Sequence, residues 1–140
     1  SYGRKLHYNN SGMGSHTTTS STALVVVDSA NWTKITLSTG ANPINYGGTF
    51  THRHGTLGNS TFMNVKIDST FQLWYSSTEG GATNDQAVAS NNMNLSFSGQ
   101  SEALTAGTHT VEWYWKVSAN TGTMCMAPHN PWLGWAHEIK

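Results

Sequence analysis

The chain has 140 residues, only 10% of them charged, and its seven basic and seven acidic side chains cancel. So little net field gives it nothing to draw it to the phosphates of nucleic acid or to an anionic membrane surface. A single cysteine, Cys125, excludes an intrachain disulfide, and no apolar run approaches the roughly 20 residues of a membrane helix.

Residues 1–21, SYGRKLHYNNSGMGSHTTTSS, hold no sustained period of either kind. Tyr2, Arg4, Lys5, His7 and Tyr8 are interleaved before a Gly/Ser/Thr tract. Two readings stay open for them: a frayed terminus, or an arm that orders on a neighbouring subunit, since Tyr and Arg are favoured contact residues.

From residue 22 onward the pattern predicts strands. TALVVVD (22–28) is a short β-branched run of the kind covered on both faces. WTKITLS (32–38) alternates, with Thr33, Ile35 and Leu37 on one side. STFMNVKID (60–68) sets Met63, Val65 and Ile67 against Phe62, Asn64 and Lys66. TFQLWYSS (70–77) sets Phe71, Leu73 and Tyr75 against Gln72, Trp74 and Ser76. MNLSFSG (93–99) points Met93, Leu95 and Phe97 inward. In THTVEWYWKV, Val111, Trp113, Trp115 and Val117 form the inward set, which leaves Tyr114 outside beside Glu112 and Lys116. TGTMCMA and WLGWAHEIK supply the last two strands.

Clusters of Gly, Asn, Ser and Pro separate these runs, and the longer gaps at 39–60 and 78–92 read as crossovers or exposed loops. The expectation is an all-β chain: a jelly-roll-like β-sandwich of about eight strands over residues 22–140, preceded by an extended N-terminal arm over residues 1–21.

Chemistry-bearing patterns are few. In THRHG, His52 and His54 are spaced to put two rings on one side of a strand, as metal ligands often are. The spacing resembles the HxH element of cupins, but GTLGNSTF follows where a cupin supplies a glutamate. A third ligand would have to come from His109, His129 or His137. The preferred reading is a polar loop near a strand end, with His52 and His54 as weak metal candidates only. There is no GxSxG elbow, no phosphate-cradling glycine loop and no zinc-type cysteine set, and the seven acids are scattered singly. The expectation is a protein that is not an enzyme and carries no cofactor. Cys125, in TMCMA, reads as a small buried apolar residue.

Trp74 and Tyr114 are the aromatics expected on outer faces. Such rings serve as oligomer contacts or saccharide platforms. With few charges to keep copies apart, self-association ranks first and carbohydrate second.

The C-terminal LTAGTHTVEWYWKVSANTGTMCMAPHNPWLGWAHEIK (104–140) resembles the end of small jelly-roll modules in tailed-bacteriophage virion proteins. There an L-x-x-G-x-H-x-V opening leads to an aromatic strand ending W-x-V-S, and the chain finishes on a strand like HEIK. SANWTKITLSTG (29–40) is similar to the first strand of the C1q/TNF-like heads of phage fibres, although no F-x-x-P-x-x-G-x-Y strand is present. The resemblance implies a trimer on a virion. With Ser1 first and no repetitive stalk before residue 22, it implies a free-standing capsid decoration or cement protein. That protein would lie on the outer capsid surface, with the arm from Tyr2 to Tyr8 on the major capsid protein. A receptor-binding head of a tail fibre, using Trp74, Tyr114 or the loops at 41–60 and 78–92, is the alternative.

Overall fold

The computed structural model describes residues 4–8, 16–28, 33–73, 81–126 and 132–140, the first of these segments by its backbone. It contains twelve strands in two sheets: β1 (Arg4–Tyr8), β2 (Thr17–Thr19), β3 (Val25–Val26), β4 (Lys34–Thr39), β5 (Ile44–His54), β6 (Ser60–Ile67), β7 (Thr70–Phe71), β8 (Ala82–Asp85), β9 (Met93–Gln100), β10 (Gly107–Val117), β11 (Gly122–Cys125) and β12 (Leu133–Glu138). Every pairing is antiparallel.

In the first sheet the long strand β5 pairs β9 on one side. On its other side it meets β12 along Ile44–Thr49 and β11 along Thr51–His54. Beyond these, β1 pairs β12 and β2 pairs β11. The second sheet mirrors this plan. The long strand β10 meets β4 and β3 on one side and β6 on the other, and β6 meets β7 and β8. Twelve segments thus fill eight strand positions, because short strands share a position end to end. The expected jelly-roll-like all-β sandwich is what forms.

Its core comes from strict alternation. On β10, Val111, Trp113, Trp115 and Val117 are buried while Glu112, Tyr114 and Lys116 are only partly so. Facing them from β5 are Ile44, Tyr46 and Phe50, and beside them in the same sheet β6 adds Met63, Val65 and Ile67. Trp132 closes the middle: its ring stands edge-on to Trp113 at 5.3 Å and tilted against Phe50 at 5.1 Å, a geometry that suits the ring quadrupoles.

The N-terminal segment departs from expectation. Arg4–Tyr8 is hydrogen-bonded along the edge of β12, Arg4 opposite His137 and Tyr8 opposite Leu133. Thr17–Thr19 likewise edges β11. Both segments before residue 21 are thus edge strands of the first sheet, and residue 21 lies between β2 of that sheet and β3 of the other. Edge backbone groups of β12 and β11 need partners, and a tract without side-chain period supplies them by main-chain pairing alone.

The larger correction is β5. Residues 44–54 were expected within a crossover or exposed loop, yet they make the longest ladder of the first sheet. The Gly47-Gly48 pair, which resembles a turn, marks close approach. A Cβ on Gly47 would lie 2.7 Å from Trp135 Cζ2, and one on Gly48 would run into the Leu133 carbonyl and the Phe50 ring. Residues 82–85, expected in a second loop, form the edge strand β8.

Gly134 tests this packing. A Cβ there would lie 2.6 Å from Trp132 Cη2 and 3.0 Å from Trp113 Cζ2, and two buried indoles packed edge-on have little room to move. Gly134→Ala is expected to lower unfolding free energy by about 2 kcal/mol. Gly55→Ala, where a Cβ meets nothing within 4 Å, should change it by less than about 0.5 kcal/mol; urea denaturation of the two variants checks the contrast.

Candidate functional site

Tyr114 lies on the outer face of the second sheet, opposite Asn64 of β6 and Val26 of β3. Its ring meets Phe71 edge-on at 5.1 Å. The Lys66 ammonium stands 5.2 Å from the Tyr114 centroid and 5.1 Å from that of Phe71. Along the same face Lys116 sits 4.8 Å over Phe62. Glu112 has Lys34 as its register partner on β4 and Lys66 on β6. Aromatic faces attract cations through the ring quadrupole, so the outer face of β10 and β6 is a half-buried patch of rings and ammonium groups. Trp74, expected beside Tyr114, lies outside the described residues, as does Tyr2.

Arg4, Lys5, His7 and Tyr8 of the expected contact arm all fall on β1, at the sheet edge against β12. On the outer face of β12, Trp135 lies over Gly47 and stacks on His137, with centroids 5.6 Å apart. Sequence reasoning passed over this pair. The alternation Trp132, Gly134, Ala136 inward and Leu133, Trp135, His137 outward was the available signal.

His52 and His54 do share one face of β5, but it is the inner face, where both are 1% exposed. This corrects the preferred reading of a polar loop. His54 Nε2 donates to the Ala119 carbonyl at 2.8 Å and Nδ1 accepts the Thr56 amide at 3.2 Å, which fixes a neutral tautomer. His52 Nε2 accepts from Asn84 Nδ2 at 3.2 Å, and the same amide group reaches the Asn94 carbonyl, tying β5, β8 and β9 together. His52 Nδ1 is buried with no partner among the described residues. Gln86, 2% exposed, holds this end of the sandwich: its Oε1 accepts the His54 amide at 2.8 Å and its Nε2 donates to the Asn91 carbonyl at 2.8 Å and to that of Val88. Among the described residues no three His, Cys, Asp or Glu side chains converge as metal ligands. The arrangement is suited to closing an end of the barrel-like core. Cys125 is buried, its Sγ 3.6 Å from Asn92 Oδ1, and burial pushes its thiol up despite nearby Arg53.

At the opposite end, His109 and Asp68 form a pair that sequence reasoning did not join. His109 Nδ1 donates to Asp68 Oδ2 at 2.7 Å, and Nε2 donates to the Thr105 carbonyl at 2.7 Å. Both nitrogens face acceptors, an arrangement that favours the imidazolium, and the Asp68 hydrogen bond followed by that to Thr105 raises its pKa. Burial pushes the Asp68 carboxyl up, but His109 and the Thr110 amide at 3.0 Å outweigh it and hold it below the usual range. Asp68 itself takes φ of 54° in the two-residue turn between Ile67 and Thr70, a conformation that Asp tolerates better than most residues.

With the geometry described, comparisons with known proteins give one kind of match. No protein-family model matches the chain, and no curated protein matches it in sequence. Solved structures do match. The infectious bursal disease virus Gt strain structure superposes with a TM-score of 0.57 at 8% identity, over 96% of this chain and 37% of that one. T=1 particles derived from the same virus give 0.60 at 9% identity, over 97% and 32%. The VP2 subviral particle of that virus gives 0.59 at 6%, over 97% and 33%. The chain thus spans about a third of the length of these viral proteins, and at such identities the likeness is one of fold: a jelly-roll sandwich.

Two histidines give opposite pH signatures. Burial, then nearby His54, depresses His52 to about 4. Its contribution to stability is complete above the unfolded value of about 6.5 and is lost as pH falls toward 4. His109 contributes below about 6.5 and loses its contribution as pH rises through its raised folded value. His52→Gln, which keeps an acceptor for Asn84, is expected to flatten the fall in unfolding free energy between pH 6.5 and 4 by up to roughly 3 kcal/mol; chemical denaturation across that range measures it.

Proposed function

We propose that this chain is a non-enzymatic structural module of a virion: a trimeric decoration or cement protein on the outer surface of a bacteriophage head, bound to the major capsid protein. The observation that carries this reading is the superposition of 96% of the chain on a viral particle protein with a TM-score of 0.57. The chemistry of the fold agrees with it. Its buried polar side chains tie strands and turns together: Gln86 and His54 close one end, and His109 and Asp68 the other. None of these groups pairs with a nucleophile or a second carboxylate as catalysis would require.

Assembly falls to the outer face of β10 and β6. Tyr114, Phe71 and Lys66 combine apolar area with a desolvatable cation, the composition favoured in interface centres. The other contact is the β1 edge strand, RKLHY, whose two basic residues Arg4 and Lys5 complement carboxylates on the shell. Several such contacts per trimer, each weak, add through multivalency.

Native mass spectrometry of the purified chain is expected to give the mass of three copies, and Tyr114→Ala with Lys66→Ala to shift it toward monomer. Arg4→Glu with Lys5→Glu keeps the β1 backbone and is expected to reduce co-sedimentation with phage heads by roughly tenfold or more. A monomer at micromolar concentration, with capsid binding indifferent to the arm charges, would falsify the proposal.

A further inference from the structure

Beside the His109–Asp68 pair, a cleft of about 500 Å³ opens where the β6–β7 turn of one sheet faces the segment that follows β9 of the other. Both walls are fixed by the backbone. Asp68 N donates to the Thr110 carbonyl at 2.8 Å while Asp68 Oδ1 accepts the Thr110 amide, and Gln72 N donates to Val65 at 2.9 Å. Opposite, Ser101 N donates to Ile44 at 2.9 Å, Ser101 Oγ accepts the Ile44 amide at 2.9 Å, and Leu104 N donates to Asn42 at 3.2 Å. A site held this way loses little freedom when a ligand enters.

The lining decides what that ligand is. Its polar groups include the Asp68 and Glu102 carboxylates and the Gln72 and Gln100 amides, and Phe71 and Leu104 are among its apolar surfaces. Among the described residues no Lys, Arg or His lines the cleft, which disfavours phosphate, sulfate and acidic sugars. Asp68 is paired with His109 behind it at 2.7 Å, so among the described lining residues Glu102 is the carboxylate without a basic partner. That is too little for a calcium site, which gathers about 6–8 oxygen ligands. Gln72 spends its Nε2 on the Thr70 carbonyl at 3.0 Å, which leaves its Oε1 as an acceptor, and Gln100 and Glu102 are exposed. Planar amides and carboxylates beside small apolar patches complement a ring with paired hydroxyls on its edge and C–H groups on its face. The volume lies in the range of small-molecule sites.

We propose that this cleft binds a neutral saccharide of one or two residues, with Asp68, Glu102, Gln72 and Gln100 on its hydroxyls and Phe71 and Leu104 against its ring. The cleft adjoins the Tyr114 face through Phe71, whose ring meets Tyr114 edge-on at 5.1 Å, while its Gln72, Gln100, Glu102 and Leu104 walls lie outside that face. It gives the module a sugar-reading end whichever surface it sits on.

The test titrates the ¹⁵N-labelled full chain with maltose, cellobiose, lactose and N,N′-diacetylchitobiose, followed by amide chemical shifts. At least one disaccharide is expected to move the amides of residues 69–72 and 101–104. Gln72→Ala and Glu102→Ala, both surface changes, should each weaken that titration by roughly fivefold to tenfold, the loss of one or two hydrogen bonds, with the rest of the spectrum unchanged. Silence from all four sugars, shifts confined to the Tyr114 face, or variants that titrate like the parent chain would each overturn the proposal. So would calcium chloride moving the same amides when no sugar does.

Discussion

Everything in this molecule depends on two long strands, β5 and β10, stacking their inner rows with an indole wedge between them. Trp113 on β10 and Phe50 on β5 meet through Trp132, which reaches the middle from the start of β12. Large rings fill the space between sheets efficiently, and each carries more buried apolar area than an aliphatic side chain would. The glycines around them, Gly48 and Gly134, exist to let those rings lie close to neighbouring backbone. A chain with 10% charged residues draws little from ion pairs, and this packing supplies what the charges do not.

The two ends of the sandwich are closed by polar chemistry rather than by more apolar packing. At one end buried His52, His54 and Gln86 knit strand ends and loops through neutral hydrogen bonds. At the other, a charged His109–Asp68 pair braces a turn against β10. Buried polar groups are costly unless partnered, so these networks hold the loops to one arrangement. They also bias the two ends oppositely with acidity, since one favours a neutral ring and the other a charged one.

Where alternation was carried by Val, Ile, Leu, Met and Trp, the sequence was legible: β4, β6, β9 and β10 stand within a residue or two of where their pattern puts them. Legibility failed where the inward position was held by a residue with other common uses. In β5 the inward set is Ile44, Tyr46, Gly48, Phe50, His52 and His54, and paired glycines and spaced histidines resemble a turn and a metal motif. Edge strands β1, β2 and β8 each have a backbone ladder to a single neighbour, so no alternating apolar row is required of them. Of the candidate residues, Tyr114 was foreseen on an outer face, whereas His109 and Asp68 are 41 positions apart and only the register of β6 against β10 brings them together. The Trp135–His137 stack lay within a segment recognised as a strand, but its outward row went unexamined because the inward one was so clear.

The pairing of β1 with β12 has a temporal side. During synthesis Arg4–Tyr8 is made before its ladder partner Leu133–Glu138, so one margin of the sheet stays open until β12 has left the ribosome. Ladders that join distant segments close slowly because the intervening loop must be drawn in first. Until then the waiting strand presents a row of backbone N–H and C=O groups that only water satisfies.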